Sequence, residues 1–85
     1  MPAREHLAVR LQALASLLRD LGILASGADA RLLANLDLRP VLDGLASTFD
    51  GERVLRAFTA VDRAEGALER NVSPKVVADW LALQL

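Results

Sequence analysis

Residues 51–70, GERVLRAFTAVDRAEGALER, are the stretch of sequence that decides the fold. Their apolar residues recur at steps of three and four, which places them on one face of an α-helix. That face consists of Val54, Ala57, Phe58, Val61, Ala64 and Leu68. Asp50 precedes the stretch as the expected N-cap, and Asn71 follows it as the expected stop. The pattern predicts a long amphipathic helix with one face packed against the rest of the chain.

The N-terminal part of the chain predicts a second long helix. Leucines at positions 7, 11, 14, 18 and 21 form one apolar stripe, and Pro2 suits the first turn because its missing N–H costs nothing there. Apolar residues continue beyond Gly22. We therefore expect this helix to begin near residue 3 and to end at Gly27 rather than at Gly22.

Two short helical elements are predicted between the long helices. Ser26, followed three residues later by Asp29, is close to a capping box for a helical turn over residues 30–34, which Asn35 would end. Asp37 then caps a further helix, which tolerates Pro40 in its first turn. We expect this further helix to bury four apolar residues: Leu38, Val41, Leu42 and Leu45.

The last residues predict a helix of a different kind. Ser73 and Pro74 supply the N-cap and the first helical position. From residue 75 to residue 85 only Lys75, Asp79 and Gln84 are polar. A helix that is apolar on nearly every side is either buried in a core or covered by another chain, and the pattern leaves both alternatives open.

Together these elements predict an all-α fold, a compact bundle of four to five helices that forms a single helical domain over residues 1–85. The composition agrees, because 53% of the residues are hydrophobic but only 4% are aromatic, and the helix-favouring leucine and alanine dominate. No alternation of apolar and polar residues predicts a strand. The mean hydropathy of +0.29 is high for so small a domain, which suggests that apolar side chains remain for a partner.

Composition also excludes several kinds of chemistry. The chain has no cysteine and a single histidine, His6, so it offers neither a zinc site nor a catalytic triad. No phosphate-binding loop motif occurs, and the acidic pair Glu65 and Glu69 is typical of a solvated helix face. We therefore expect no catalytic residue, no metal, no cofactor and no enzymatic activity in this chain.

The charge pattern argues against direct contact with nucleic acid. The net charge is −1, and although Arg56, Arg63 and Arg70 recur every seven residues, acidic residues lie between them and weaken their field. No apolar run approaches the length of a membrane span. We expect a cytoplasmic protein without membrane contact.

Some residues are candidates for structural or subunit contacts. We expect Arg19 and Asp20 to tie the first helix to a later element, with different partners because adjacent residues of a helix diverge. Asn71 and Pro74 are expected to shape the turn before the last helix. The candidate subunit interface consists of Val54, Phe58, Val61, Val77, Trp80, Leu81 and Leu85. Trp80 is the best single anchor among them, because tryptophan is enriched at the centre of interfaces.

The strings LLRDL at residues 17–21, SGAD at residues 26–29, ALERNVSPKV at residues 67–76 and WLALQL at residues 80–85 carry a resemblance. Over residues 10–85 the sequence resembles the C-terminal collar domain of the bacterial DNA polymerase III delta-prime subunit, a part of the clamp loader, with the gamma/tau collar as a near alternative. The resemblance implies a non-catalytic oligomerisation module that supports ATP-dependent loading of the sliding clamp in DNA replication. It implies gamma/tau and delta subunits as partners through the collar, while the family's N-terminal AAA+ region is not among these residues.

Two functions of other classes remain open beside the collar. One is a stand-alone helical regulator that self-associates through the last helix. The other is a DNA-binding helical protein that uses Arg56, Arg63 and Arg70. Self-association of the chain would be compatible with either the collar or the regulator.

Overall fold

The computed structural model describes residues 2–85, which contain four α-helices and two short 3-10 turns. The helices are α1 (Ala3–Ala25), α2 (Arg39–Ala46), α3 (Gly51–Glu69) and α4 (Pro74–Gln84). The 3-10 turns span Ala30–Leu32 and Leu36–Leu38. No strand occurs among residues 2–85, so the predicted all-α bundle is confirmed.

The two long helices, α1 and α3, form the most extensive contact in the molecule. The face predicted for α3 is the buried one, with Val61 and Ala64 fully enclosed. Helix α4 packs mainly on α3 and also touches α1, whereas α2 packs on α1. The buried core consists of Leu11, Leu18, Leu21, Leu33, Leu42, Val54, Ala60, Val61, Ala64, Leu68, Val77 and Leu81.

The later of the two candidate glycines, Gly27, ends helix α1, as the sequence predicted. Gly27 has a φ of 75°, a left-handed conformation that glycine adopts without a Cβ penalty. The N–H of Gly27 donates to the Leu24 carbonyl and the N–H of Ala28 donates to the Ile23 carbonyl, which is a Schellman motif. The predicted N-cap at Ser26 is wrong, because its hydroxyl donates to the Ile23 carbonyl and closes α1.

The start of α2 also differs from the prediction. Asp37 lies inside the second 3-10 turn, and the residue that precedes α2 is Leu38, so Asp37 does not cap this helix. Asp29 does cap, but it caps the first 3-10 turn by accepting from the N–H of Arg31. Pro40 lies in the first turn of α2 as predicted. The residues predicted to form turns do lie in turns, but Ser26 and Asp37 belong to elements other than those predicted for them.

The turn between α3 and α4 repeats the geometry that ends α1. Asn71 has a φ of 65°, and the N–H of Val72 donates to the Ala67 carbonyl at 3.0 Å. Asparagine is one of the few residues that tolerate this conformation. Ser73 then precedes Pro74 at the first position of α4, and its side chain makes no capping hydrogen bond. The result is a tight reversal that lays α4 back on α3.

Candidate functional site

A buried carboxylate fixes the segment between α1 and α2. Asp20 on α1 has no exposed surface, and its two oxygens accept from the N–H groups of Ala34 and Asn35, each at 2.9 Å. The Asn35 side-chain amide also donates to Asp20 at 2.7 Å and to the Ser16 hydroxyl at 3.1 Å. Asp20 therefore ties α1 to residues 34 and 35, and Leu33 beside them is buried.

The electrostatics of this contact favour the charged carboxylate. Burial alone would raise the pKa of Asp20, but the hydrogen bonds from Ala34 and Asn35 outweigh it and the neighbouring Arg19 charge adds to them. The pKa of Asp20 consequently lies below its ordinary value of 3.8. The Arg19 side chain is exposed and makes no hydrogen bond or ion pair within residues 2–85, so it forms no tie to a later element there.

The anchored segment presents an apolar surface to solvent. Five large apolar residues between positions 32 and 45 are exposed, and we name them the α2 surface: Leu32, Leu36, Leu38, Val41 and Leu45. Leu38, Val41 and Leu45 were expected to be buried, and that expectation is wrong. Only Leu42 of α2 is buried, because the short helix packs chiefly on α1, which covers one narrow stripe.

Helix α4 is only partly covered by the rest of the chain. Val77 and Leu81 are buried, while Val76, Leu83 and Leu85 are exposed by 57%, 84% and 60%. Val76 and Leu83 are seven residues apart and so lie on one face of the helix. Of the two alternatives for an all-apolar helix, complete burial within this chain is therefore wrong.

The candidate subunit contacts fall into two groups in the structure. Four of them lie in the core rather than at a subunit contact, because the chain itself encloses their side chains: Val54, Val61, Val77 and Leu81. The other three reach the surface, with Phe58 and Trp80 half-buried and Leu85 exposed. Of the seven candidate contacts, only Phe58, Trp80 and Leu85 keep surface that a neighbouring subunit could contact.

The polar surface of α3 carries paired and clustered charges. Arg56 donates to Glu52 at 3.1 Å across one helical turn. Partial burial, together with the negative charges of Asp62 and Glu69, raises the pKa of Glu65.

No group of three or more potential metal ligands occurs within residues 2–85. In the same range no helix is long and apolar enough to cross a lipid bilayer.

The sequence did not predict two residues, Arg4 and Asn35, that link distant parts of the chain. The Arg4 guanidinium donates to the carbonyls of Leu68 and Val72, at 2.9 and 3.0 Å, and so links the start of α1 to the end of α3. A basic residue in the first turn of a helix opposes the helix dipole, and this was the available signal for a tertiary role. Asn35 was predicted only as a stop, because its partner Asp20 is distant in sequence.

The chain matches a known protein family over nearly its whole length. The model described as "DNA polymerase III, delta subunit, C terminal" matches residues 2–83. No curated protein and no solved structure matches the chain. The matched range contains all four helices except the last residue of α4.

Proposed function

Because this chain belongs to the family of C-terminal domains of the DNA polymerase III delta subunit and is thus a component of the clamp loader, we propose that it is a non-catalytic, delta-prime-like collar module. In this role it joins neighbouring clamp-loader subunits, gamma/tau and delta, and supports their ATP-dependent loading of the sliding clamp. The observation that carries the proposal is the α2 surface, a set of exposed apolar side chains on a segment that Asp20 ties to α1.

The anchoring of the α2 surface matters for binding. A flexible apolar segment loses conformational entropy when it binds, whereas a segment already fixed by three hydrogen bonds loses less. Burying an exposed leucine side chain contributes about 1–2 kcal/mol. Leu36 and Val41, which are 55% and 62% exposed, are therefore suited to a contact with a neighbouring collar.

A second set of apolar residues, two half-buried and one exposed, supports the same role. Phe58, Trp80 and Leu85 lie on α3 and at the C-terminal end of α4, elements different from those that form the α2 surface. A subunit inside a closed ring needs two contact surfaces, one for each neighbour. Besides the α2 surface, the chain offers apolar residues on α3 and at the end of α4.

The test is to mix the chain with gamma/tau and delta collar domains and to measure mass by light scattering at micromolar concentration. We expect a heteromer that is lost in the double variant Leu36→Glu with Val41→Glu. The matched control is the double variant Val9→Glu with Ala13→Glu, since both residues are exposed on α1, outside either proposed contact. This variant should retain the heteromer, and circular dichroism verifies that both variants stay helical.

Each result distinguishes the proposal from its alternatives. A heteromer without self-association supports the delta-prime-like role. A concentration-dependent homodimer with no heteromer favours the stand-alone helical regulator instead, and homo-oligomers that also take up delta favour a gamma/tau-like identity. Absence of any complex at micromolar concentration contradicts a collar function.

A further inference from the structure

A cleft between α3 and α4 combines an apolar wall with two positive charges. Its volume is about 460 Å³, and Ala67, Val76 and Trp80 are among the apolar residues that line it. The charges belong to Arg63 and Arg70 of α3. An apolar cavity with a few convergent polar groups is the usual form of a small binding site.

The two arginines of this cleft lack the ion pairs that four other surface cations make. The side chains of Arg31, Arg39, Arg56 and Lys75 each make an ion pair with an acidic residue, as the structure shows. Within residues 2–85, neither Arg63 nor Arg70 makes an ion pair or a hydrogen bond through its side chain. Their positive charge is therefore available to a ligand.

Gly66 brings the Arg70 charge towards Arg63. A Cβ atom at Gly66 would lie 3.2 Å from Nη1 of Arg70, so the guanidinium folds back along the helix to the level of residue 66. Gly66 is three residues from Arg63, which is about one helical turn. The absence of a side chain at position 66 thus leaves space for the guanidinium on the part of α3 that also carries Arg63.

We propose that this cleft binds a short acidic–apolar peptide segment of a partner protein. An aliphatic or aromatic side chain of the segment packs on Val76 and Trp80, and carboxylates beside it accept hydrogen bonds from Arg63 and Arg70. Arginine suits this task because its planar group binds a carboxylate through two N–H donors. Trp80 serves as the anchor of the contact.

A peptide fits the cleft better than nucleic acid does. Most of the residues that line the cleft are apolar. Asp62 and Glu69 lie beside Arg63 and Arg70 in the sequence, and their negative charges weaken the positive field at a distance from the cleft. A phosphate backbone needs several neutralising cations, whereas one or two carboxylates need only the pair present here.

The peptide site does not overlap the α2 surface, although it shares Trp80 with the second set of apolar residues proposed to contact a neighbouring collar. It is formed by α3 and α4, whereas the α2 surface belongs to residues 32–45. Loss of peptide binding with an intact heteromer overturns only this inference. Intact peptide binding without a heteromer overturns only the proposed collar function.

Trp80 is the sole tryptophan of the chain, so its fluorescence reports directly on this cleft. The probe is a blocked hexapeptide, acetyl-Gly-Asp-Leu-Phe-Asp-Gly-amide, titrated into the full chain. We expect a saturable change in Trp80 emission, which weakens as salt increases because the ion pairs are screened. The same peptide with Asn in place of both Asp residues should bind at least about fivefold more weakly.

Substitutions in the chain locate the binding. Arg63→Gln and Arg70→Gln should each weaken binding about threefold to fivefold, as expected for partly exposed ion pairs. Gly66→Ala keeps every charge and shifts the Arg70 guanidinium by only a few tenths of an ångström, so it should change binding less than either glutamine substitution. Val76→Ser alters an exposed residue of the apolar wall and should reduce binding with the fold intact. The matched control is Arg10→Gln, the same charge change at an exposed position on α1.

Three results would overturn the inference. The first is no change in Trp80 emission up to about 1 mM peptide, the limit of weak specific binding. The second is equal weakening by Arg10→Gln and Arg63→Gln, which would indicate a general charge effect. The third is a stronger response to a single-stranded oligodeoxythymidylate than to the peptide, which would assign the cleft to nucleic acid.

Discussion

Helix α3 and the segment from residue 30 to residue 46 are both rich in apolar residues at helical spacing, yet the chain buries them very differently. In α3 the periodic face is enclosed, and Val61 has no exposed surface. In the segment only Leu33 and Leu42 are buried, while Val41 is 62% exposed. The two regions differ in what lies opposite them, since α3 contacts both α1 and α4 whereas α2 packs chiefly on α1.

This difference shows that apolar periodicity predicts a helix more securely than it predicts burial. Periodicity is a property of one helix, but burial requires another element on the apolar side. The segment keeps its position by other means, through the hydrogen bonds that Asp20 accepts from Ala34 and Asn35. Apolar packing holds α3 in place, whereas a buried polar contact and two buried leucines hold residues 30–46.

The largest effect is expected when the polar anchor of the segment is removed. Asp20→Ala leaves the N–H groups of Ala34 and Asn35 without their acceptor and should lower the free energy of unfolding by about 3 kcal/mol. Urea unfolding followed by circular dichroism measures this loss. An effect below about 0.5 kcal/mol would show that the segment does not depend on Asp20.

The pH dependence of the same contact provides a control. Because the folded-state pKa of Asp20 is lowered, its contribution to stability is complete above the ordinary value of 3.8 and is lost as the pH falls through the folded-state pKa. The stability difference between the wild-type chain and Asp20→Asn should therefore shrink on acidification below pH 3.8. A difference that stays constant down to acid denaturation would contradict a charged carboxylate.

A matched pair of valine substitutions compares the two regions directly. Val61→Ala removes two methyl groups from an enclosed position and should cost about 2 kcal/mol. Val41→Ala makes the same chemical change at an exposed position and should alter stability by less than about 0.5 kcal/mol. Thermal and urea unfolding of both variants test this contrast. Equal losses would mean that the α2 surface is covered in solution.

A smaller loss of stability than that of Val61→Ala is expected when the contact at the end of α3 is removed. Arg4→Gln removes a charged donor from the carbonyls of Leu68 and Val72 and should lower stability by about 1 kcal/mol. Hydrogen exchange should become faster at the N–H of Val72, which closes the turn. Arg10→Gln on the exposed side of α1 is the control. If both substitutions have the same effect, the link between α1 and the end of α3 is unimportant.

Most of the fold could be predicted from local sequence. The face of α3, the stop at Gly27 and the stop at Asn71 follow from periodicity and from the residues that tolerate a left-handed backbone. The candidate contacts were less predictable. Phe58 reaches the surface while Val61, on the same predicted face, is fully enclosed, because the width of a buried face depends on the neighbouring helices.

The sequence by itself determined the helical class, the two long helices and the turns that end them, because helix formation and capping depend on residues within a few positions of each other. Tertiary structure alone decided which apolar residues remain exposed. It also decided that Asp20 holds residues 34 and 35, and that Arg4 reaches the Leu68 carbonyl, 64 positions away. Such contacts depend on how the helices are arranged in space, and no local pattern encodes that arrangement.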